Sequence, residues 1–350
     1  MRTRVARAAG MAAAGVLVTR RLARRRQEQA VERAMVEPGP LMELRGEPLR
    51  LPFLFQRSDG FAAIFGADLE GIATMLPSDA IHPVRLDGQR AAVIVAAFRH
   101  HEPMATMADG ETRVARPYGE VMVAALVTRR PAPPVLPLLA MSTFRVGAFV
   151  LHLPVTSRLA MDGGRLWSYP KFVADMDFAV GPDRQSVTVG TGGRRLLSLT
   201  VRPGGRPAID RSPAVLYSEH EGSLVEMAMP TVELHEMRIG RRGAELELGD
   251  HEVAVSLRAV GLGGPPFASM TIVATRFAMT GGHAIGPARP YHGYAGVERD
   301  FGRYTVRHPG MPAIDQYAGL TGAEWVTIPA GPPEGTPASK PKALAAAATG

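Results

Sequence analysis

Ser157-Arg158-Leu159-Ala160-Met161-Asp162-Gly163-Gly164-Arg165-Leu166-Trp167-Ser168-Tyr169-Pro170-Lys171-Phe172 is the stretch on which the reading of this chain turns. It contains the only lysine in the first 339 residues. Of the 40 basic residues, 37 are arginine, and the remaining lysines, Lys340 and Lys342, lie in the Pro/Ala-rich end of the chain. Arginine supplies surface charge and anion contacts, but its pKa above about 12 bars it from acting as an amine nucleophile. A lysine kept among Trp167, Tyr169, Phe172 and Val173 is therefore a candidate nucleophile. The competing reading is an arginine-biased composition that leaves one lysine by chance, with its stem on apolar surface and its head in water.

The composition around that stretch narrows the function classes. The chain has 350 residues, 46% of them hydrophobic, enough for one large domain with tails. It has no cysteine, which excludes disulfides and thiolate chemistry and suits a reducing cytoplasm, the expected location. The formal charge of +7 comes from residues 1–36, where nine arginines face Glu28 and Glu32 alone. With the remainder near neutral and no basic stripe interleaved with aromatics, no nucleic-acid partner is expected.

The uncharged run from Ala8 to Thr19 is shorter than the roughly 20 apolar residues that span a bilayer. The arginines at 20–26 make a poor signal-cleavage region. Residues 1–40 thus read as a basic helical extension, either solvated or lying on an anionic membrane surface. Residues 41–330 read as one domain, and residues 331–350 as a disordered tail rich in Pro, Ala and Gly.

Within the domain most segments read as strands. Ala91–Phe98 and Val121–Val127 are continuous apolar runs, and Phe144–Leu153 is nearly so. Shorter β-rich stretches follow at Ser186–Val189, Leu196–Val201, Val232–Ile239, Glu245–Leu248, Glu252–Leu257 and Met270–Ala274. Turn clusters such as Gly181-Pro182-Asp183 and Gly192-Gly193 separate them at hairpin intervals. Asp68 to Leu76 reads as a short helix with Asp68 as its N-cap and Pro77 as its stop. The proline cluster from Pro131 to Pro137 reads as a stiff surface loop. The expected fold is mostly β (α+β), a large antiparallel sheet curled into a barrel-like form with a few helices.

The segment Gly164-Arg165 followed by Tyr169-Pro170-Lys171 resembles the signature of the acetoacetate decarboxylase family. Asp68–Pro77 and Tyr118-Gly119-Glu120-Val121 resemble two further stretches of that family, and the likeness covers roughly residues 50 to 275. The resemblance implies that Lys171 forms a Schiff base with a keto group, that Glu120 orients substrate or relays a proton, and that the protein is a homo-oligomer. Two positions depart from the family pattern: Phe172 stands where a second lysine is usual, and Leu166 where an acidic residue is usual. No carboxylate in Ala91–Phe98 supplies the second site acid that the resemblance calls for.

A free lysine has a pKa near 10.4 and is almost fully protonated at neutral pH. Burial lowers lysine values by up to about 3–5 units, and desolvation or a neighbouring cation is the established route to the reactive amine of acetoacetate decarboxylase. With Phe172 beside the amine, desolvation is the expected lever here, with Trp167, Tyr169, Phe172 and Val173 as the dry wall and Arg165 or Arg158 as the source of positive potential. Tyr118 is a further expected substrate contact. The implied activity is decarboxylation of a small β-keto acid. An aldolase or dehydratase acting on an α-keto acid, and a non-catalytic small-molecule binder, are the alternatives. No cofactor or metal is expected: adjacent His100 and His101 on a strand point to opposite faces, and Gly261-Leu262-Gly263-Gly264-Pro265 lacks a helix that would present amides to phosphate.

Overall fold

Leu49, Leu51, Phe53 and Phe55 alternate with more exposed neighbours, and further along the same strand Phe61, Ala62, Ala63, Phe65 and Ala67 are all buried. The two-residue period marks an extended segment with one side in apolar surroundings over its first half, and the nearly unbroken burial that follows marks a stretch covered on both sides. In the computed structural model the segment is a single 22-residue strand. The structure describes residues 36–291 and, outside that run except for 292, residues 29, 32, 33, 293, 294, 306, 307 and 325–327. Most of the basic extension expected at residues 1–40, its membrane contact and the expected tail at 331–350 lie outside the described residues; of the extension, residues 29, 32, 33 and 36 are helical.

The chain opens with β1 (Leu41–Leu44) and the long β2 (Glu47–Asp68), then α1 (Leu69–Met75) and β3 (His82–Pro83). Next come β4 (Arg90–His100), β5 (Pro103–Met107), β6 (Thr112–Ala115) and β7 (Tyr118–Thr128). Two single-turn helices, α2 (Leu136–Leu139) and α3 (Met141–Phe144), occupy the proline-rich connection, followed by β8 (Gly147–Val155), α4 (Arg158–Arg165) and β9 (Lys171–Val173). The hairpins β10 (Asp175–Val180), β11 (Gln185–Thr191) and β12 (Arg194–Val201) come next. They lead to β13 (Arg206–Asp210), β14 (Ala214–His220), β15 (Ser223–Met229), β16 (Thr231–Ile239) and β17 (Ala244–Leu248). Then come α5 (Glu252–Ala259), β18 (Gly263–Met279) and β19 (His283–Pro287), and the described residues beyond them form β20 (Val306–Arg307) and β21 (Trp325–Thr327).

The strands form two sheets. The larger runs β13-β16-β18-β2-β4-β7-β8-β14-β15-β19, with β1, β3, β5, β6, β9 and β21 paired off this path. The smaller runs β17-β12-β11-β10-β20. The fold is mostly β, as expected, but two corrections apply. The large sheet ends at β13 and β19 instead of closing on itself, so it is not a barrel. It is also mixed, because β8 pairs in parallel with both β9 and β14.

One face of the central strands packs on the smaller sheet through Phe61, Phe65, Val93, Val123, Val187 and Leu199. A second core, on the side of β1, β5 and α4, contains Phe53, Phe55, Leu153, Leu159, Met161 and Trp167. β2 serves both, with its first half in the second core and its second half in the first.

The expected helix at Asp68–Leu76 is present, and the Asp68 carboxylate accepts from Gly71 N at 2.7 Å. Glu252–Leu257, read as a strand, is instead helical in α5. The His251 side chain caps it by accepting from Val253 N, and Val253, Ala254 and Leu257 share its buried face. Three or four residues separate Val253 and Ala254 from Leu257, so these positions satisfy a helical period that the short alternation Val253–Val255–Leu257 conceals.

Candidate functional site

α4 and the turn behind it position the lysine. Ser157 caps the helix by accepting from Ala160 N. The last turn then tightens, with Trp167 N and Tyr169 N both donating to Gly164 O. Ser168 adopts a left-handed backbone at φ 55°, and Pro170 leads into β9. There Lys171 sits opposite Leu153 of β8. Gly164 is needed for a close approach: a Cβ built on it would collide with Cδ and Cε of the Lys171 side chain. The Arg165 Nε donates to the Lys171 carbonyl at 3.3 Å and so braces the same turn through the backbone.

β7 supplies the partner. Glu120 pairs across β8 with Val155, while Gly119 and Thr156 bond reciprocally at 2.9 and 3.0 Å and fix the ends of the two strands. The lysine side chain reaches over β8 and donates from Nζ to Glu120 Oε2 at 2.7 Å. Its side chain is 4% exposed and that of Glu120 15%, so the pair is largely shielded from water. Behind the carboxylate, His100 Nε2 lies 3.9 Å from Oε1, beyond hydrogen-bond range, and His100 Nδ1 meets Ser58 Oγ at 2.8 Å. His101 points the other way, to Asp59 at 3.0 Å.

Electrostatics follow from this enclosure. Burial opposes ionisation of Glu120, but the Lys171 ammonium beside it outweighs burial and holds the carboxyl down at about 2. Burial lowers His100 against the pull of Glu120, keeping a neutral imidazole behind the carboxylate. Tyr118 and Tyr169 are raised by burial and then by the negative charge of Glu120, so both phenols stay protonated at neutral pH.

The amine end of Lys171 faces a pocket of about 470 Å³, measured out to its open mouth, whose walls include Phe53, Phe55, Leu159, Trp167 and Met279. Tyr118 also lines it. Among the other residues expected at the site, Tyr169 and Val173 pack in the same core as Trp167. Phe172 faces the opposite side of β9, where it lies parallel to His251 at 6.5 Å and edge-on to Tyr294 at 4.7 Å. Arg158 begins α4 and is exposed. Sequence reasoning missed Ser58, His100 as the backing of Glu120, and the aromatic wall from β2. The one usable signal was the pair Gly163-Gly164, since glycine inside a helix weakens it unless something must pass close by.

A second buried histidine lies outside this pocket. Neither ring nitrogen of His152 finds a hydrogen-bond partner among the described residues, and burial, aided by His251, lowers its pKa to about 4. An unfolded histidine takes up its proton near 6.5 and the folded one only near 4, so between those values the unfolded state binds more protons and stability rises with pH. Glu120 acts in the same direction between 4.5 and about 2. Chemical denaturation across pH is expected to show stability eroding first from pH 6.5 to about 4 and then further toward pH 2. His152→Phe is expected to shrink the first stage, leaving the part due to His100 and His251, whose values burial also lowers.

A family model for acetoacetate decarboxylase (ADC) matches residues 40–261. No curated protein matches the chain. Among solved structures, an acetoacetate decarboxylase aligns with 18% identity and a TM-score of 0.50 over 68% of this chain and 91% of its own. The acetoacetate decarboxylase of Legionella pneumophila subsp. pneumophila str. Philadelphia 1 aligns with 16% identity and a TM-score of 0.49 over 73% and 95%. The enduracididine biosynthesis enzyme MppR aligns with 13% identity and a TM-score of 0.48 over 67% and 88%. At these identities the structural likenesses bear on the fold alone. With most of its described residues inside the matched region, the chain belongs to the acetoacetate decarboxylase family.

Proposed function

We propose that this protein is a Schiff-base lyase that decarboxylates a β-keto acid through Lys171, with Glu120 as its proton carrier. The observation that carries the reading is the buried 2.7 Å pairing of Lys171 Nζ with Glu120, with Lys171 itself lining an apolar pocket. Attack requires a neutral amine. Glu120 is the acceptor already in contact with the ammonium, and passing the proton to it frees the Nζ lone pair. The exchange is self-limiting in a useful way. Once the ammonium charge is gone, the burial that opposes ionisation of Glu120 is no longer offset by it, and the carboxyl retains the proton until the reaction needs it.

Nζ then bonds to the keto carbon. The carbonyl oxygen takes one proton from the attacking nitrogen and one from solvent and leaves as water, giving an iminium ion while Glu120 keeps its proton. The bond from the α-carbon to the carboxylate breaks, carbon dioxide departs, and the electron pair is delocalised onto nitrogen as an enamine. Protonation of the enamine carbon, with Glu120 as the donor in reach, and addition of water release the ketone and the free amine. Tyr118 and Tyr169, both neutral, can donate hydrogen bonds but cannot serve as bases at neutral pH.

The test is carbon dioxide release from a panel of β-keto acids. Glu120→Gln is expected to slow turnover by about 10²–10⁴-fold, the usual contribution of a positioned acid–base group. Full activity in that variant would remove Glu120 from the mechanism. Cleavage or dehydration of α-keto acids without carbon dioxide release would replace decarboxylation with the aldol-type reading.

A further inference from the structure

A row of polar side chains crosses the large sheet from the neighbourhood of Glu120 to an exposed edge. Residues directly opposite one another on adjacent strands face the same side of a sheet. One such set joins Tyr118 of β7 to His100 of β4, then Ser58 of β2, Thr275 of β18, Glu233 of β16 and Asp210 of β13. His100, Ser58 and Thr275 are buried, whereas Asp210 is exposed on the edge strand. At the inner end His100 Nε2 lies 3.9 Å from Glu120 Oε1, and His100 Nδ1 meets Ser58 Oγ at 2.8 Å. The rings of Phe55 and Tyr118, at 4.8 and 4.7 Å, hold the imidazole in that line. At the outer end Glu233 Oε1 lies 3.0 Å from His235 Nδ1. Between the two ends stands the Thr275 hydroxyl, buried and without a hydrogen-bond partner among the described residues. A buried hydroxyl that makes no bond costs stability, and valine fills the same space without that cost. Packing alone therefore gives no reason for threonine at this place.

The proposed reaction has a need that the row meets. A β-keto carboxylate and one proton give a ketone and carbon dioxide, so each turnover consumes a solvent proton in addition to the one that Lys171 and Glu120 exchange. The pair is largely shielded from water, and a substrate seated on the amine covers it from the pocket side. The solvent proton needs a second way in.

We infer that His100, Ser58, Thr275 and Glu233 form a proton relay that carries this proton from the sheet edge to Glu120. The inference rests on the decarboxylase reading of Lys171. Glu120 gives a proton to the departing carbonyl oxygen as it takes one from His100, and so still holds a proton when the enamine forms. At His100 the Nε2–H bond breaks as the bond to Glu120 Oε1 forms, and Nδ1 takes the hydroxyl proton of Ser58. Ser58 is refilled from Thr275, Thr275 from Glu233 with His235 beside it, and Glu233 from water. One proton enters, and no other charge moves.

The experiment uses the full-length protein and two substitutions at one residue that does not line the pocket: Thr275→Val keeps the shape and loses the hydroxyl, while Thr275→Ser keeps the hydroxyl and loses a methyl group. Carbon dioxide release at saturating β-keto acid gives kcat, thermal denaturation gives stability, and cyanoborohydride trapping gives the final yield of adduct on Lys171. Thr275→Val is expected to match the wild type in stability, KM and adduct yield, with kcat lowered by about 10–10²-fold, a part of the roughly 10²–10⁴ that a positioned acid–base group contributes. Thr275→Ser is expected to be less stable than the wild type and to keep most of its kcat. A purely structural threonine gives the reverse order of activities, because valine then costs nothing. Wild-type turnover in Thr275→Val, or equal losses in both variants, overturns the relay and leaves the decarboxylase reading in place. A wild-type protein that releases no carbon dioxide from any β-keto acid and forms no adduct on Lys171 overturns that reading, and the relay with it.

Discussion

Replacing Lys171 with methionine is expected to abolish turnover and to cost about 3–5 kcal/mol of folding stability at neutral pH, a loss far larger than most surface substitutions produce. The chemical loss follows from removing the one amine among the described residues that line the pocket. The structural loss comes from Glu120, which remains in a site with little water and no ammonium to offset its burial. Without Lys171 the carboxyl protonates more easily, so the stability deficit of the variant is expected to shrink as the pH is lowered from 7, whereas the wild-type protein loses stability over the same range. Adding Glu120→Gln to Lys171→Met removes the orphaned charge and is expected to recover most of the loss. Urea denaturation of the four proteins forms a double-mutant cycle. Additive effects of the two substitutions would show that the pair is not coupled in the folded protein.

Gly164→Ala is the second large effect, and its sign runs against helix propensity. Alanine in place of glycine inside a helix ordinarily adds about 0.5–1 kcal/mol. At residue 164, however, the new methyl group would overlap the Lys171 stem, which must swing away from Glu120 or push α4 off β9. A displacement of about 1 Å at a reacting group costs on the order of a hundredfold in rate, and that is the expected fall in kcat. Gly163→Ala is the internal comparison. A Cβ there meets only Phe53 at 3.9 Å and Leu44 at 4.0 Å, ordinary contact distances. That variant is expected to gain stability from the helix and to retain far more activity than Gly164→Ala. Equal losses in the two variants would mean that the Lys171 stem does not depend on the close approach at residue 164.

These two residues also show what the sequence made legible. The apolar runs at Ala91–Phe98 and Val121–Val127 identified β4 and β7 because a strand buried on both faces needs unbroken apolar residues. The lone lysine and the Tyr-Gly-Glu element identified Lys171 and Glu120 although 51 residues separate them. Sheet closure was not legible. Whether β13 meets β19 depends on long-range pairing that local patterns do not encode, and the sheet stays open. Phe172 was placed beside the amine by adjacency in sequence. Lys171–Val173 is a strand, however, so neighbouring residues face opposite ways and Phe172 belongs to the other core. His100 read only as half of a histidine pair, and its place behind Glu120 appears once β4 and β7 are aligned so that His100 faces Tyr118.

The most direct measurement is cyanoborohydride trapping of the folded protein with a 3-oxo acid, followed by peptide mapping by mass. The single lysine before residue 340 makes the assignment unambiguous. The account requires one reduced adduct, on the peptide containing Lys171, that is absent from Lys171→Ala. An adduct confined to Lys340, Lys342 or the terminal amine, or no adduct at all, would contradict it.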